Sequence, residues 1–127
     1  MENAEAKILI IEDDVALVKM YETKLTLEGF KVDKALDGEE AIRKLGLNDY
    51  DLVLLDLMLP KINGFDVLLQ LRTSSWPAAK KPVIVLSNLG DVSDISKSRE
   101  LGCTDYLIKA NTTPNQVVEK VEHYLKK

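Results

Sequence analysis

The chain has 127 residues, 46% of them hydrophobic and 30% charged, with a formal net charge of −4. That length fits one domain, residues 1–127, able to bury a core without staples. The charge balance leaves no basic stripe for nucleic acid, the single Cys103 excludes an intrachain disulfide, and no apolar run exceeds the four residues Leu52–Leu55, far short of a membrane span.

The N-terminal MENAEAK is polar and acidic, unlike a secretory signal, so a cytoplasmic location is expected. Lys7–Glu12 follows as a near-continuous apolar run, the pattern of a strand covered on both faces. A helix is predicted from about Val15 to Glu28, with Leu17, Met20, Tyr21 and Leu25 on one face and Gly29 as its stop. Lys31–Ala35 alternates and is short, which suggests an edge strand. Asp37-Gly38-Glu39-Glu40 opens a second helix with acids near its positive end.

Asp51–Asp56 is the most hydrophobic strand and is expected at the sheet centre. Gly64 to about Arg72 reads as a third helix, followed by a loop, SSWPAAKK. Pro82–Ser87 is the fourth strand, its proline tolerable at the first position. Asp91–Leu101 is a poor fourth helix: Val92, Ile95 and Leu101 are its only sizeable apolar residues, and three serines weaken it. Asp105–Lys109 is the fifth strand. Pro114 opens a last helix, striped by Val117, Val121, Tyr124 and Leu125 and ending near Lys127. Strict alternation of strand and helix predicts a parallel α/β sheet.

In such sheets the ligand site lies beyond the carboxyl ends of the strands. Strand one ends in Glu12-Asp13-Asp14, strand three in Asp56, strand four in Ser87 and strand five in Lys109. Clustered carboxylates repel unless a cation sits among them, and Mg²⁺ is the natural hard ion for oxygen ligands. A carboxylate beside Mg²⁺ can attack phosphorus, and phosphoryl transfer otherwise needs positioning and neutralisation of charge. A metal, an ammonium and a hydroxyl supply that.

The order KILIIEDD, LLDLMLPKING, VIVLS, DYLIK resembles the response-regulator receiver family over nearly the whole chain, most specifically in DLMLPKING. The resemblance implies a flavodoxin-like doubly wound (βα)5 fold with a five-stranded parallel sheet in the order 2-1-3-4-5. It implies that Asp56 is the phosphoacceptor. It further implies that Glu12, Asp13, Asp56 and the Met58 backbone carbonyl hold Mg²⁺ (or Mn²⁺), that Ser87 and Lys109 bind the phosphoryl group, and that Tyr106 is the aromatic ring that moves on activation. The implied partners are a sensor histidine kinase or phosphotransfer protein and a downstream protein target; the charge balance and the short apolar runs, for their part, predict no direct nucleic-acid or membrane contact. A phosphorylation-dependent homodimer stays open. The activity implied is self-phosphorylation and self-dephosphorylation only.

Each residue also has an ordinary structural reading. Glu12, Asp13 and Asp14 suit the first turn of a helix, and Asp56 can form a turn before Pro60. Ser87 can bond its own backbone, Lys109 can be a solvated lysine, and Tyr106 can pack with its hydroxyl in water. His123 is expected to be exposed, Cys103 small and buried, and Trp76 a local packing anchor.

The chain departs from the family in three places. The usual Lys-Pro after strand five, with its cis bond, is here Lys109-Ala110, where a cis bond would cost about 2.5–4 kcal/mol. Asn88 stands where alanine is common and would crowd or hydrogen-bond the phosphoryl group. Met58, Leu59 and Leu89 are expected to hinder an attacking water. Competing functions are a small Mg-dependent phosphatase with an Asp nucleophile, which Met58 opposes by replacing that family's second Asp, a flavin module, which the acidic first loop opposes, and a phosphorylation-independent interaction module.

Overall fold

Parallel pairing of all five predicted strands organises the computed structural model, which describes residues 6–126. The N-terminal stretch 1–5 and the predicted helix end at Lys127 lie outside the described residues. The elements are β1 (Lys7–Ile11), α1 (Val15–Leu27), β2 (Lys31–Ala35), α2 (Gly38–Leu47), β3 (Leu52–Leu55) and α3 (Gly64–Thr73). They continue with β4 (Val83–Ser87), α4 (Val92–Glu100), β5 (Asp105–Ile108), a 3-10 turn (Lys109–Asn111) and α5 (Pro114–Lys126). The order is β2-β1-β3-β4-β5, so β2 is an edge and β3 is central, as expected.

Alternation along each inner strand sends side chains to opposite faces. Leu9, Ile11, Val53, Leu55, Val83 and Val85 pack against Ala41, Leu45, Val67, Leu68 and Leu71, from α2 and α3. Ile8, Ile10, Leu52, Leu54, Ile84 and Leu86 pack against Val18, Tyr21, Leu25, Val117 and Val121, from α1 and α5. Burial on both sides is why these strands carry no polar residue between their ends. In α1 the buried stripe is Val18, Tyr21 and Leu25, with Leu17 and Met20 only partly covered. The periodicity was right and its phase was off by about one residue, because the covering sheet, not the helix alone, sets which edge of the stripe is deepest.

α4 is the weakest element, and for a sharper reason than its sequence suggested. Its one buried residue is Ser98, Asp91 makes no side-chain cap, and Val92 is 80% exposed rather than an anchor. Trp76 packs on the α2–α3 side of the core, and Cys103 is half-buried rather than fully enclosed.

A polar tie fixes β2 at the sheet edge. The buried Tyr50 hydroxyl donates to Asp33 Oδ2 at 2.6 Å and Lys44 Nζ to Asp33 Oδ1 at 2.9 Å. Burial alone would raise the Asp33 carboxyl, but the bonds from Tyr50, Lys44 and the Lys34 N–H outweigh it and hold it low. A depressed carboxyl contributes stability above its unfolded pKa and loses it as pH falls through the folded one. Tyr50→Phe is therefore expected to cost about 1.5–3 kcal/mol at pH 7, typical of a hydrogen bond to a charged group. In urea titrations the deficit should shrink below the ordinary Asp value of 3.8; a deficit constant with pH would break this account.

Candidate functional site

Strand pairing brings the polar strand ends together. Glu12 follows β1 and Asp56 follows β3, and the Asp56 N–H still donates to Ile11 O at 3.0 Å, so the two carboxylates emerge side by side. Asp14 caps α1, accepting from Ala16 and Leu17 N–H, which releases Glu12 and Asp13 from that duty. The capping interpretation therefore holds for Asp14 alone. Glu12 Oε2 in turn accepts from Asp14 N–H at 3.0 Å.

Glu12, Asp13 and Asp56 offer carboxylate oxygens all within 4.8 Å of one another; Glu12 and Asp56 are buried and Asp13 is exposed. Lys109 lies between the two buried acids, its Nζ 2.5 Å from Glu12 Oε1 and 2.9 Å from Asp56 Oδ2. It is no solvated surface lysine: its side chain is only 14% exposed. Burial would lower the Lys109 ammonium, but Glu12 and Asp56 raise it, so it stays charged. Burial, helped by the charge on Asp56, pushes Glu12 up against the pull of Lys109 and the Asp14 N–H. One cation thus faces three clustered carboxylates, and the residual negative charge suits a divalent ion. The all-oxygen donor set, with one ligand open to water, fits Mg²⁺, which keeps several waters.

The loop after Asp56 is held from two sides. Met58 N–H donates to Asp56 Oδ1 at 3.1 Å, which places the Met58 peptide next to the cluster while its side chain is 58% exposed. Gly64 backs onto the same turn: a Cβ there would lie 2.4 Å from Asp56 O, so only glycine fits. On the far side a Cβ at Gly38 would lie 1.8 Å from Ile62 O, and Gly38 N–H donates to Pro60 O. Lys61, between them, takes a left-handed φ of 71°, with Nζ 3.7 Å from both Asp37 and Glu39. Sequence reasoning gave Gly38 and Lys61 no part here, because the seam between α2 and this loop joins segments with no shared local pattern.

Ser87, Asn88 and Tyr106 form a second group. Ser87 is fully buried at the end of β4 and its Oγ accepts from Leu89 N–H at 3.3 Å. The Tyr106 hydroxyl donates to Leu89 O. Burial first, then the nearby Asp94, Cys103 and Asp56 groups, push that phenol up to about 12, so it remains a donor near neutral pH. Asn88 Oδ1 accepts from Ala110 N–H at 3.1 Å. The Lys109–Ala110 bond is trans, like every other among the described residues, and Lys109 itself opens the 3-10 turn instead of closing β5. Leu59 and Leu89 pack against the core on the α2–α3 side, which leaves Met58 as the exposed apolar side chain of the three expected to screen the site. His123 is exposed on α5, as expected.

A family model described as "Response regulator receiver domain" matches residues 8–122. The chain is 36% identical over all 127 of its residues to the Probable transcriptional regulator ycf27 of Cyanophora paradoxa, covering 51% of that protein. Among solved structures, it resembles a two-component response regulator from Clostridium difficile at TM-score 0.88 and 28% identity, covering 97% of this chain and 98% of that one. The receiver domain of the Francisella response regulator 1452 gives TM-score 0.87 at 29% identity, covering 96% and 98%. The chain spans about half the length of the curated relatives it matches. Among the described residues no helix is long and apolar enough to cross a membrane.

Proposed function

This chain belongs to the response regulator receiver domain family, the signal-receiving module of two-component regulators, and on that premise we propose that Asp56 accepts a phosphoryl group in a Mg²⁺-dependent reaction. The single observation that carries this reading is the Lys109 ammonium bridging Glu12 and Asp56 within a carboxylate cluster. A carboxylate oxygen of Asp56 attacks phosphorus as the bond from phosphorus to the donor's nitrogen or oxygen breaks. Mg²⁺, held by Glu12, Asp13, Asp56 and the Met58 carbonyl, would neutralise charge on the phosphoryl oxygens. Lys109 stays protonated and pairs with another of those oxygens. Ser87 offers a hydroxyl to a third.

The donor is a sensor histidine kinase, a phosphotransfer protein or a small acyl phosphate. The chain acts as one receiver unit over 1–127, catalysing only its own phosphorylation and dephosphorylation in the cytoplasm. The absence of a basic stripe supports a protein target for these residues. The phosphatase alternative gains no support, since Met58 stands where a second acid would have to be. The test is intact mass after incubation with acetyl phosphate. A phosphoryl adduct that needs Mg²⁺ and disappears with chelator is expected; no adduct under either condition would defeat the proposal.

The signal then passes to the face formed by α4, β5 and α5. Phosphorylation adds close to two negative charges beside Ser87. Drawing the Ser87 hydroxyl toward them releases Leu89 N–H, whose own carbonyl holds Tyr106. α4, anchored by a buried serine, shifts at low cost. Tyr106→Ala is expected to keep phosphoryl uptake while NMR shift changes on phosphorylation no longer reach α4 and α5. Full propagation in that variant would sever Tyr106 from the switch.

A further inference from the structure

Main-chain pairing between β4 and β5 ends at Ser87 and Ile108. Lys109 comes next on one strand and Asn88 on the other, and there the chain leaves the ladder for a 3-10 turn. One residue further on, the Ala110 N–H is met by the side-chain oxygen of Asn88, 22 residues away, at 3.1 Å on the exposed rim of the sheet. Asn88 makes no other side-chain hydrogen bond among the described residues. We propose that Asn88 is a positioning residue for Lys109: its amide supplies one further rung beyond the ladder and so fixes the backbone on which the bridging ammonium is mounted.

The geometry behind this is local. Lys109 lies between two anchored peptides, Ile108 in the sheet and Ala110 on Asn88. Thr112 closes the turn from the other side, its hydroxyl donating to Ile108 O at 2.8 Å and its N–H to Lys109 O at 3.2 Å. With both flanks held, the long lysine side chain has few arrangements left and reaches Glu12 and Asp56 together. A backbone N–H can only donate, so Ala110 also determines which end of the Asn88 amide faces it. The oxygen points at the turn. This gives Asn88 an indirect role through Lys109, beside the contact with the phosphoryl group expected of its amide.

This inference rests on the phosphoacceptor reading for its effect on rate, but the strap itself can be judged without it. In ¹⁵N-labelled protein, Asn88→Ala is expected to speed Ala110 amide exchange about two- to tenfold, the range of one modest hydrogen bond. Asn88→Asp, which keeps the acceptor oxygen, should restore the protection. The Lys109 ammonium resonance, sharp when held by two carboxylates, should broaden in Asn88→Ala, and phosphoryl uptake from acetyl phosphate should slow by about the same two- to tenfold factor. Ala110→Pro removes the donor, and in that background Asn88→Ala should change neither the lysine resonance nor the rate.

An Ala110 amide as fast in the native chain as in Asn88→Ala would show there is no strap. Loss of protection at Ala110 with an unchanged lysine resonance would show that it positions nothing. A native chain that takes up no phosphoryl group defeats the phosphoacceptor reading, whereas a lysine resonance that still responds to Asn88→Ala upholds the strap.

Discussion

Asp56→Asn incubated with acetyl phosphate and Mg²⁺ is expected to show no phosphoryl adduct, a drop of at least about 10³-fold from the native chain, in line with removal of a covalent nucleophile. The amide is nearly isosteric but has no charged oxygen to offer phosphorus. Loss of folding should not confuse the result. Glu12 still holds Lys109 in the variant, and removing the Asp56 charge relieves one of the influences that raise Glu12. Near-native circular dichroism and an unchanged Ala110 amide would confirm that the variant keeps its fold. An adduct of native size on Asp56→Asn would move the chemistry to another residue, and peptide mapping would then be directed first at Asp13, the exposed acid of the cluster.

The second large effect is on stability. Lys109→Met is expected to destabilise the metal-free protein by about 3–5 kcal/mol, because it strands two buried carboxylates without their shared cation. The side chains of Glu12 and Asp56 are only 5% and 6% exposed, so water cannot replace the ammonium cheaply. The deficit has a sign with pH. Burial already holds the Glu12 carboxyl above its ordinary value, and losing Lys109 removes a group that pulls it down, so its contribution is present at low pH and lost as pH rises through the folded value. Urea unfolding should therefore show Lys109→Met closest to native in mild acid and furthest from it at neutral pH.

Mg²⁺ should narrow the gap, since the variant's uncompensated carboxylates bind it more tightly than the native cluster does, and binding to the folded state alone adds about 2.7 kcal/mol at a hundred times Kd. If Mg²⁺ stabilises the native chain and Lys109→Met equally, or the variant matches the native chain without metal, Lys109 is not the internal counter-ion described above. The same experiment separates a charge role from a packing role. Lys109→Arg keeps the charge in a larger, planar head, and should recover part of the stability while leaving phosphoryl uptake impaired.

The architecture was largely legible in advance because each inner strand buries both faces, which writes β-branched and leucine runs into the chain at Lys7–Ile11, Leu52–Leu55 and Val83–Ser87. The one soft helix was legible too, since Ser93, Ser96 and Ser98 replace the apolar stripe that others carry. What its sequence did not show is that Val92 faces solvent and Ser98 faces the core. A helix with so weak a stripe does not determine its own rotation, and the neighbouring elements choose it.

For the site, the sequence by itself determined the inventory: acids after β1, Asp56 after β3, a hydroxyl at the last residue of β4 and a lysine after β5. Strand ends are local features, and local periodicity reports them. Only the tertiary structure decided how those groups meet. Lys109 and Asp56 are 53 residues apart, and nothing near either one reveals that a single ammonium spans Asp56 and Glu12. Likewise nothing in the sequence near Asn88 shows that its oxygen turns to Ala110, where a backbone donor freed at the end of the ladder lies within reach. Contacts of that kind depend on strand register and on which main-chain groups are left over once the sheet has paired, and those quantities exist only after the chain has folded.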